Sequence, residues 1–369
     1  MVGADTSQVI RGADLLACPA TGQPLRPCPI EEADRAAGAA GPLTPRAGGG
    51  TPLGRTPTVL LRQDGRAAYP VVDGIPVLLG PERLVPAAEG PFSVDLNDPR
   101  YAEAYQEMDF YNRAAAVDVE AGARRLLRLA ELPSASLGRF PDPAATWLDA
   151  TYEATAQYDA YRHLAPLDGA RVLQLGGKGE QAVAFLLAGA AEAWVVSPMI
   201  GELAHARALA TRVGVGDRIR LAAGVAEELP LRSRSFDRVW GKSMHHMVDA
   251  MAYPQCARVL SRGGRFAAVE PWRALLHGIG TRVLGKRERG VECRPLTRDR
   301  LAPFDRAFAW IRVVRHGPVL RYPMIALEKA GVTLPLETAW RLARLDDRLG
   351  ALLPPGNRGS CATLLGIAA

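Results

Sequence analysis

The chain has 369 residues, of which 48% are hydrophobic and 23% charged, and its formal net charge is +6. This balance is ordinary for a globular protein, and the length favours two domains with a sizeable core. The basic residues are scattered rather than grouped in a block, which argues against nucleic-acid binding. The most apolar stretch, 185–196, is too short to span a bilayer, and the chain opens without a signal-peptide pattern. We therefore predict a cytoplasmic protein that binds neither nucleic acid nor membrane.

Residues 1–93 are predicted to form a small β-rich domain, because short β-prone runs alternate there with proline and glycine. The stretches L-L-A-C-P-A-T-G-Q-P-L and G-R-A-A-Y-P-V-V-D-G-I-P-V-L-L resemble the small zinc-ribbon-like domain that is fused to, or activates, many methyltransferases. The resemblance implies a ligand cysteine where Thr21 stands, and Cys18 and Cys28 alone cannot complete a four-ligand zinc site. We predict a metal-free packing or docking module through which the chain forms homo- or hetero-oligomers.

Residues 94–165 are predicted to be mostly helical. Aromatic residues and Met108 recur there at mixed helical spacing, and Tyr158 lies in a second aromatic-rich stretch. Two interpretations are open for these side chains. They form a helical core, or they belong to a lid whose tyrosine and histidine side chains line a substrate pocket. Tyr158 is the candidate substrate contact of this segment.

From Arg171 onward, strand and helix patterns alternate, which is typical of a parallel sheet with helices on both faces. The first strand, 171–175, leads through a glycine cluster into an Ala/Leu-rich helix, as in Rossmann-like sheets that hold a nucleotide. Residues 166–369 are therefore predicted to form an α/β domain with helical and antiparallel-strand additions at the C-terminal end. The further predicted strands, of which the last two pair as an antiparallel edge, are 192–196, 219–222, 238–240, 265–269, 311–315 and 362–367.

Four motifs carry a family resemblance: V-L-Q-L-G-G-K-G-E, V-V-S-P-M-I-G-E-L-A-H-A-R, G-V-A-E-E-L-P-L-R-S-R-S-F-D-R-V-W and A-R-V-L-S-R-G-G-R-F. In this order they resemble the motifs of S-adenosylmethionine-dependent methyltransferases with a Rossmann-like fold, over about residues 164–272. The resemblance implies S-adenosylmethionine as cofactor. The residues that it places at the cofactor are Gly176, Gly177, Gly179, Ser197 and Glu227.

The sequence departs from the family pattern around the glycine turn. Gln174 and Ser197 stand where the family usually has acids, and Lys178 and Glu180 where it usually has glycines. A serine accepts hydrogen bonds from ribose hydroxyls less strongly than a carboxylate does. Three interpretations of Lys178 stay open: a tolerated member of a cofactor loop, an anion clamp at a helix start, or a lysine that is solvated or paired with Glu180.

The segment G-K-S-M-H-H-M, residues 241–247, follows the fourth strand of the predicted sheet, at the edge where such sheets bind ligands. His245 or His246 is the candidate general base, and Lys242 is a candidate substrate contact. Adjacent histidines point in different directions, so we expect at most one of them to be catalytic. The alternative is a histidine that packs and forms hydrogen bonds. Glu270, which ends the fifth strand, is a less favoured base candidate.

These observations predict a methyltransferase-like enzyme of natural-product biosynthesis (secondary metabolism) that transfers a methyl group to an O or N nucleophile of a small molecule. Two alternatives are kept. One is a non-methylating enzyme that displaces a sulfate or phosphate held by Lys178, as in aziridine ring closure. The other is a catalytically inactive partner subunit. No metal site is predicted, and the candidate catalytic and substrate-binding residues are His245, His246, Lys178, Lys242, Tyr158 and Arg321, the last either a carboxylate clamp or a surface arginine.

Overall fold

The computed structural model describes residues 10–45, 56–89, 97–115, 119–131, 151–274, 294–332 and 334–369. Within these ranges the chain forms an antiparallel sheet near the N-terminus and a larger α/β sheet, which confirms the predicted fold class. None of the helices in these ranges has the length and apolarity that crossing a bilayer requires.

The N-terminal sheet is built from short antiparallel strands: β1 (Leu25–Pro29), β2 (Leu43–Pro45), β3 (Thr58–Arg62), β4 (Ala68–Val72), β5 (Ile75–Pro76) and β6 (Leu84–Pro86). They pair in the order β1-β3-β4-β6-β2, with β5 on β4. Helix α1 (Ile30–Ala37) packs against this sheet and buries Ile30 and Ala33. The short strands and α1 enclose a core of modest size.

The two N-terminal cysteines lie in different hydrophobic clusters. The Cys18 sulfur is 3.1 Å from the Tyr69 hydroxyl, whereas Cys28 packs beside Ile30 and Ala33. In the described ranges neither belongs to a group of three or more side chains that could share a metal ion. Both thiols are buried, so packing accounts for their positions.

The larger sheet contains β7 (Arg171–Leu175), β8 (Glu192–Ser197), β9 (Ile219–Ala223), β10 (Phe236–Gly241), β11 (Leu260–Pro271), β12 (Trp310–His316) and β13 (Cys361–Ile367). Their order is β12-β13-β11-β10-β7-β8-β9, and β7 to β11 pair in parallel. Each predicted strand is present, although β11 begins earlier than expected. The last two strands do pair antiparallel, but β13 lies between β11 and β12, so only β12 forms the edge.

Helices cover both faces of this sheet: α4 (Ala154–Leu164), α5 (Glu180–Leu187), α6 (Ile200–Arg212), α7 (Asp249–Val259), α8 (Ala302–Ala307), α9 (Arg321–Lys329) and α10 (Leu336–Ala351). Strand β8 shows why two layers are needed. Ala193 and Val195 enter one hydrophobic cluster, while Trp194 and Val196 enter the other, because successive side chains of a strand point to opposite faces. In the segment predicted as helical, α2 (Ala102–Ala115) and α3 (Val119–Glu131) precede α4 and pack against α6.

The N-terminal unit is joined to the end of β9 and to the loop that follows it. The Leu78 amide donates to the Ala223 carbonyl at 2.7 Å, and the Ala17 amide donates to the Pro230 carbonyl at 3.0 Å. The Tyr101 hydroxyl, just before α2, donates to Glu228 in the same loop. The loop at 224–231 is therefore held from outside by residues of the N-terminal third of the chain.

Candidate functional site

A cleft opens at the carboxyl ends of β7, β8 and β10, where parallel sheets present their ligand sites. It encloses about 680 Å³, counting the solvent at its mouth. Helix α2 contributes Glu103 and Glu107 to the opposite wall. The predicted site residues that line the cleft are Gly176, Gly177, Ser197, Glu227, Lys242 and His246.

The glycine turn after β7 is shaped by the close approach of the turn after β10. Gly176 and Gly177 both have φ of +70°, and a Cβ on Gly176 would lie 2.7 Å from the Lys242 carbonyl oxygen. Gln174, which is fully buried, braces the turn from below. Its side-chain amide donates to the Gly176 carbonyl at 2.8 Å and accepts from the Ala182 amide at 2.7 Å. An amide, unlike a carboxylate, both donates and accepts here, so the loss of the family acid leaves the turn intact.

Gly179 and Lys178 are not among the residues that line the cleft. Gly179 has φ of +75°, and a Cβ there would be 2.4 Å from the Cβ of Ala206 in α6. The glycine is therefore required where the start of α5 packs against α6. Lys178 is half-buried beside this contact. The structure does not bring these two predicted residues together with the rest of the candidate site.

Ser197 is buried at the end of β8 and contacts a carboxylate that the sequence analysis missed. Its hydroxyl donates to Glu202 Oε2 at 2.9 Å and accepts from the Met199 amide at 3.2 Å. Glu202 lies in the first turn of α6, is only 6% exposed and lines the cleft. The available signal was an acid in the first turn of the helix that follows the second strand.

Glu227 and Glu228 occupy the turn after β9 and face different partners. Glu227 lines the cleft and accepts from the Val248 amide at 2.8 Å. Burial raises the pKa of Glu227 to about 7. Glu228 instead accepts from Tyr101 and pairs with Arg100 at 3.3 Å. Of these two glutamates, Glu227 is therefore the one that can contact a ligand in the cleft.

The turn after β10 holds the two histidines in different environments. Ser243 adopts a left-handed conformation with φ of +60°, which is uncommon for a non-glycine residue, and it starts the 3-10 turn Met244–His246. Glu270, almost fully buried at the end of β11, accepts from the backbone amides of Met244 at 2.8 Å and His245 at 3.1 Å. Its Oε2 is also 2.5 Å from His245 Nδ1. An Nδ1–H donated to Glu270 fixes the tautomer of His245, which is not itself among the residues that line the cleft.

His246 lines the cleft but is held between two carboxylates. Its Nδ1 is 2.9 Å from Glu103 and 3.2 Å from Glu107. Burial alone would lower the pKa of His246, but the hydrogen bonds with both glutamates outweigh it and raise the pKa to about 10. His246 is therefore charged at neutral pH. Its ring centroid is 4.2 Å from that of His245.

The same three side chains, Glu103, Glu107 and His246, could share a cation, since they offer ligand atoms within 4.8 Å of one another. Arg294 also contacts Glu103 and donates to the His246 carbonyl at 2.7 Å. With His246 protonated, two positive side chains balance two carboxylates. The cluster is thus neutral as it stands, and it ties α2 to the histidine turn.

Tyr158 and Arg321 are placed away from the cleft. Tyr158 packs edge-on against Trp340, with ring centroids 4.9 Å apart, and lines a separate groove. The Arg321 guanidinium pairs with Glu153 at 2.5 Å and lies over the Tyr152 ring. The Arg321 side chain is only 12% exposed, so it is neither a surface arginine nor, while Glu153 neutralises it, a free clamp for a substrate carboxylate.

The comparisons with known proteins point to one class. Residues 173–268, from β7 into β11, match the family model described as "Methyltransferase domain". The chain is 36% identical over 134 residues to 27-O-demethylrifamycin SV methyltransferase of Amycolatopsis mediterranei, covering 35% of this chain and 48% of that protein. It is 31% identical over 168 residues to methyltransferase GfsG of Streptomyces halstedii, covering 44% and 60%. A solved geranyl diphosphate C-methyltransferase from Streptomyces coelicolor A3(2) covers 74% of this chain over its whole length, with 14% identity and a TM-score of 0.47.

The match places a methyltransferase-like domain on the Rossmann-like sheet, as the motifs predicted. The chain spans about half the length of the curated relatives that it matches. The motif resemblance implies S-adenosylmethionine as the cofactor, and the residues of the cleft fit it. The turn at Gly176 and Gly177 presents backbone without side chains, and Glu202 and Glu227 add buried acceptors suited to the hydroxyl and amine donors of a nucleoside.

Proposed function

We propose that the protein is an S-adenosylmethionine-dependent methyltransferase that acts on a small molecule of natural-product biosynthesis. The His245–Glu270 pair carries this proposal, because an imidazole oriented by a buried carboxylate is suited to take a proton from an acceptor. The His245 ring does not line the cleft itself, but its centroid is 4.2 Å from that of His246, which does. The name of the first relative describes an O-methylation substrate, which favours a hydroxyl over an amine as the acceptor here.

When bound, S-adenosylmethionine supplies an electrophilic methyl group. The chain aligns the acceptor oxygen, and Nε2 of His245 takes the hydroxyl proton as that oxygen attacks. Glu270 keeps Nδ1 protonated and stabilises the imidazolium that forms. His246 cannot serve as the base at neutral pH because it already holds its proton between Glu103 and Glu107. Its role is to hold α2 over the cleft.

The first experiment is a calorimetric titration of the protein with S-adenosylmethionine and S-adenosylhomocysteine. We expect dissociation constants in the micromolar range, and an absence of binding would contradict the proposal. The second experiment supplies methyl-labelled cofactor and a panel of hydroxylated natural products that includes 27-O-demethylrifamycin SV. Labelled product and released S-adenosylhomocysteine are the readouts.

Variants of the two histidines test the assignment of the base. His245→Asn is expected to lower turnover about a hundredfold to ten-thousandfold while S-adenosylhomocysteine still binds. His246→Asn is the matched control on the adjacent position, and it should lose far less. Loss of turnover confined to the His246 variant would overturn the assignment.

The two alternatives from the sequence find less support in this geometry. Ring closure by sulfate or phosphate displacement relied on Lys178, which does not line the cleft. An inactive partner subunit has no need of an oriented His245–Glu270 pair. For residues 1–93 we propose a metal-free, zinc-ribbon-like module that braces the loop at 224–231 and provides the contact surface of any oligomer.

A further inference from the structure

At the end of β8 this chain lacks the acid with which the family that it resembles usually binds the ribose. In the structure another carboxylate, that of Glu202, lies beside this position. Ser197 occupies that position, and its hydroxyl donates to Glu202 Oε2 at 2.9 Å. The same hydroxyl accepts from the Met199 amide at 3.2 Å. A serine hydroxyl has one hydrogen to donate, so Ser197 has already committed its donor to Glu202.

We propose that Glu202, on helix α6, supplies the ribose-binding carboxylate of this site, with Ser197 as its positioning residue. The inference rests on the proposed function, since it assigns a residue to the cofactor of that reaction. It moves the acid from the strand end into the first turn of the following helix. The ligand chemistry is a vicinal diol on a nucleoside.

The burial and the chemistry of Glu202 support this role. The residue is 6% exposed, yet it lines the cleft together with Ser197 and Met199. An ionised carboxylate has about four acceptor positions, of which the bond from Ser197 occupies one, and a ribose diol needs two. The first turn of a helix also favours a negative charge, which offsets part of the cost of burying it.

Ser197 and Met199 fix the direction of the carboxylate. The Met199 amide, at the N-terminal boundary of α6, is held by Ser197, and Ser197 in turn holds Glu202. Strand end and helix start are thereby joined by two hydrogen bonds around one hydroxyl. A carboxylate held in this way requires little reorganisation when a diol binds.

The test measures binding without turnover. Glu202→Gln should weaken S-adenosylhomocysteine binding about tenfold to a hundredfold, the range expected for hydrogen bonds to a charged acceptor. Ser197→Asp in the Glu202→Gln background should restore much of the affinity, because it returns an acid to the strand end. Glu180→Gln, in the first turn of α5 and outside the cleft lining, is the matched control and should bind normally.

Competition by adenosine and 2′,3′-dideoxyadenosine isolates the diol. The unmodified protein should prefer adenosine, and that preference should largely disappear in Glu202→Gln. An equal preference in both proteins, or normal S-adenosylhomocysteine affinity in the variant, overturns the inference. If the unmodified protein fails to bind S-adenosylhomocysteine at all, the proposed function fails first.

Circular dichroism of each variant reports whether it folds. If Glu202→Gln fails to fold, Ser197→Ala tests the inference instead, because it keeps the Glu202 carboxylate and removes the hydroxyl that positions it. The preference for adenosine should then fall about threefold to tenfold, as for the loss of one neutral hydrogen bond. An unchanged preference would contradict the pairing of Ser197 with Glu202.

Discussion

The two walls of the cleft use buried carboxylates in opposite ways. On the wall formed after β8 and β9, Glu202 and Glu227 accept hydrogen bonds from neutral donors, the Ser197 hydroxyl and the Val248 amide. The second wall is the turn after β10, and the Glu270 carboxylate that holds this turn is paired with His245, although neither of these two side chains lines the cleft itself. The first wall retains acceptors for a ligand, and the second combines an acid with a base.

The difference shows how one fold separates binding from proton transfer. A carboxylate that accepts from neutral donors can also accept from the hydroxyl and amine donors of a cofactor, although burial raises the pKa of Glu227 to about 7. A carboxylate paired with an imidazole fixes which ring nitrogen carries the proton, and so prepares the other nitrogen to receive one. Changes around the second wall should therefore alter turnover, and changes to the first should alter cofactor affinity.

The largest effect is expected from Glu270→Gln. A glutamine amide presents N–H groups to a site that already holds the amides of Met244 and His245, so the turn loses acceptors and His245 loses its orientation. We expect turnover to fall about a hundredfold to ten-thousandfold. Stability should fall by about 1–3 kcal/mol, from buried donors left without partners. Radiolabel transfer and urea unfolding measure these two effects.

S-adenosylhomocysteine affinity serves as the control for Glu270→Gln. It should remain close to that of the unmodified protein, because Glu270 is paired with the proposed base and does not itself line the cleft. If Glu270→Gln keeps full turnover, or if its only defect is weaker cofactor binding, the two walls do not separate binding from proton transfer.

The next effect concerns pH and the first wall. Because burial raises the pKa of Glu227 from its usual 4.5 to about 7, the folded state binds more protons than the unfolded state between these values. Stability should therefore fall as the pH rises through that window. Glu227→Gln keeps an acceptor for Val248 and does not titrate, so it should be more stable than the unmodified protein above pH 7, by at most about 3 kcal/mol.

Urea unfolding at pH values on either side of the window measures the difference. Glu228→Gln on the same turn is the matched control, since that carboxylate is paired with Arg100 and Tyr101. It should lose stability on both sides of the window. A Glu227→Gln variant that is less stable at every pH would show that the carboxylate is ionised and satisfied in the folded protein.

Gly179 tests whether the glycine turn serves the cleft or the packing below it. Gly179→Ala places a Cβ 2.4 Å from that of Ala206 at φ of +75°, and we expect a loss of about 2–4 kcal/mol. Gly169→Ala, with φ of +68° and nothing within 4 Å, should lose only about 1 kcal/mol. S-adenosylhomocysteine should bind the folded fraction normally. A stable Gly179→Ala protein that no longer binds the cofactor would show that Gly179 serves cofactor binding rather than packing.

Much of the sheet could be predicted from the sequence, because buried parallel strands are read from short apolar runs between helices and glycine turns. The position of β13 inside the sheet could not, since periodicity reveals a strand but not its neighbours. The same limit applies to the site. Ser197 was found by its place in a motif, whereas Glu202 depends on which way a side chain in the first turn of α6 points.

The histidine pair shows a second limit of sequence reasoning. His245 and His246 are adjacent and chemically identical, and only the fold separates them, by placing Glu270 beside one ring and Glu103 with Glu107 beside the other. Glu103 and Glu107 are far from the histidines in sequence and lie on a helix whose main sequence feature is its aromatic residues. The docking of that helix, which decides the protonation of His246, is not encoded in any local motif.

The smallest effect is expected from Lys178→Ala. Lys178 does not line the cleft, so its removal should change S-adenosylhomocysteine affinity by less than about twofold, the size of a solvent-screened charge effect. Lys242→Ala, on a residue that does line the cleft, is the comparator and should weaken binding more. Competition by sulfate decides whether Lys178 binds an anion. If sulfate competes with S-adenosylhomocysteine in the unmodified protein but not in Lys178→Ala, the lysine is an anion clamp after all. Displacement of an anionic leaving group would then replace methyl transfer as the working hypothesis for this cleft.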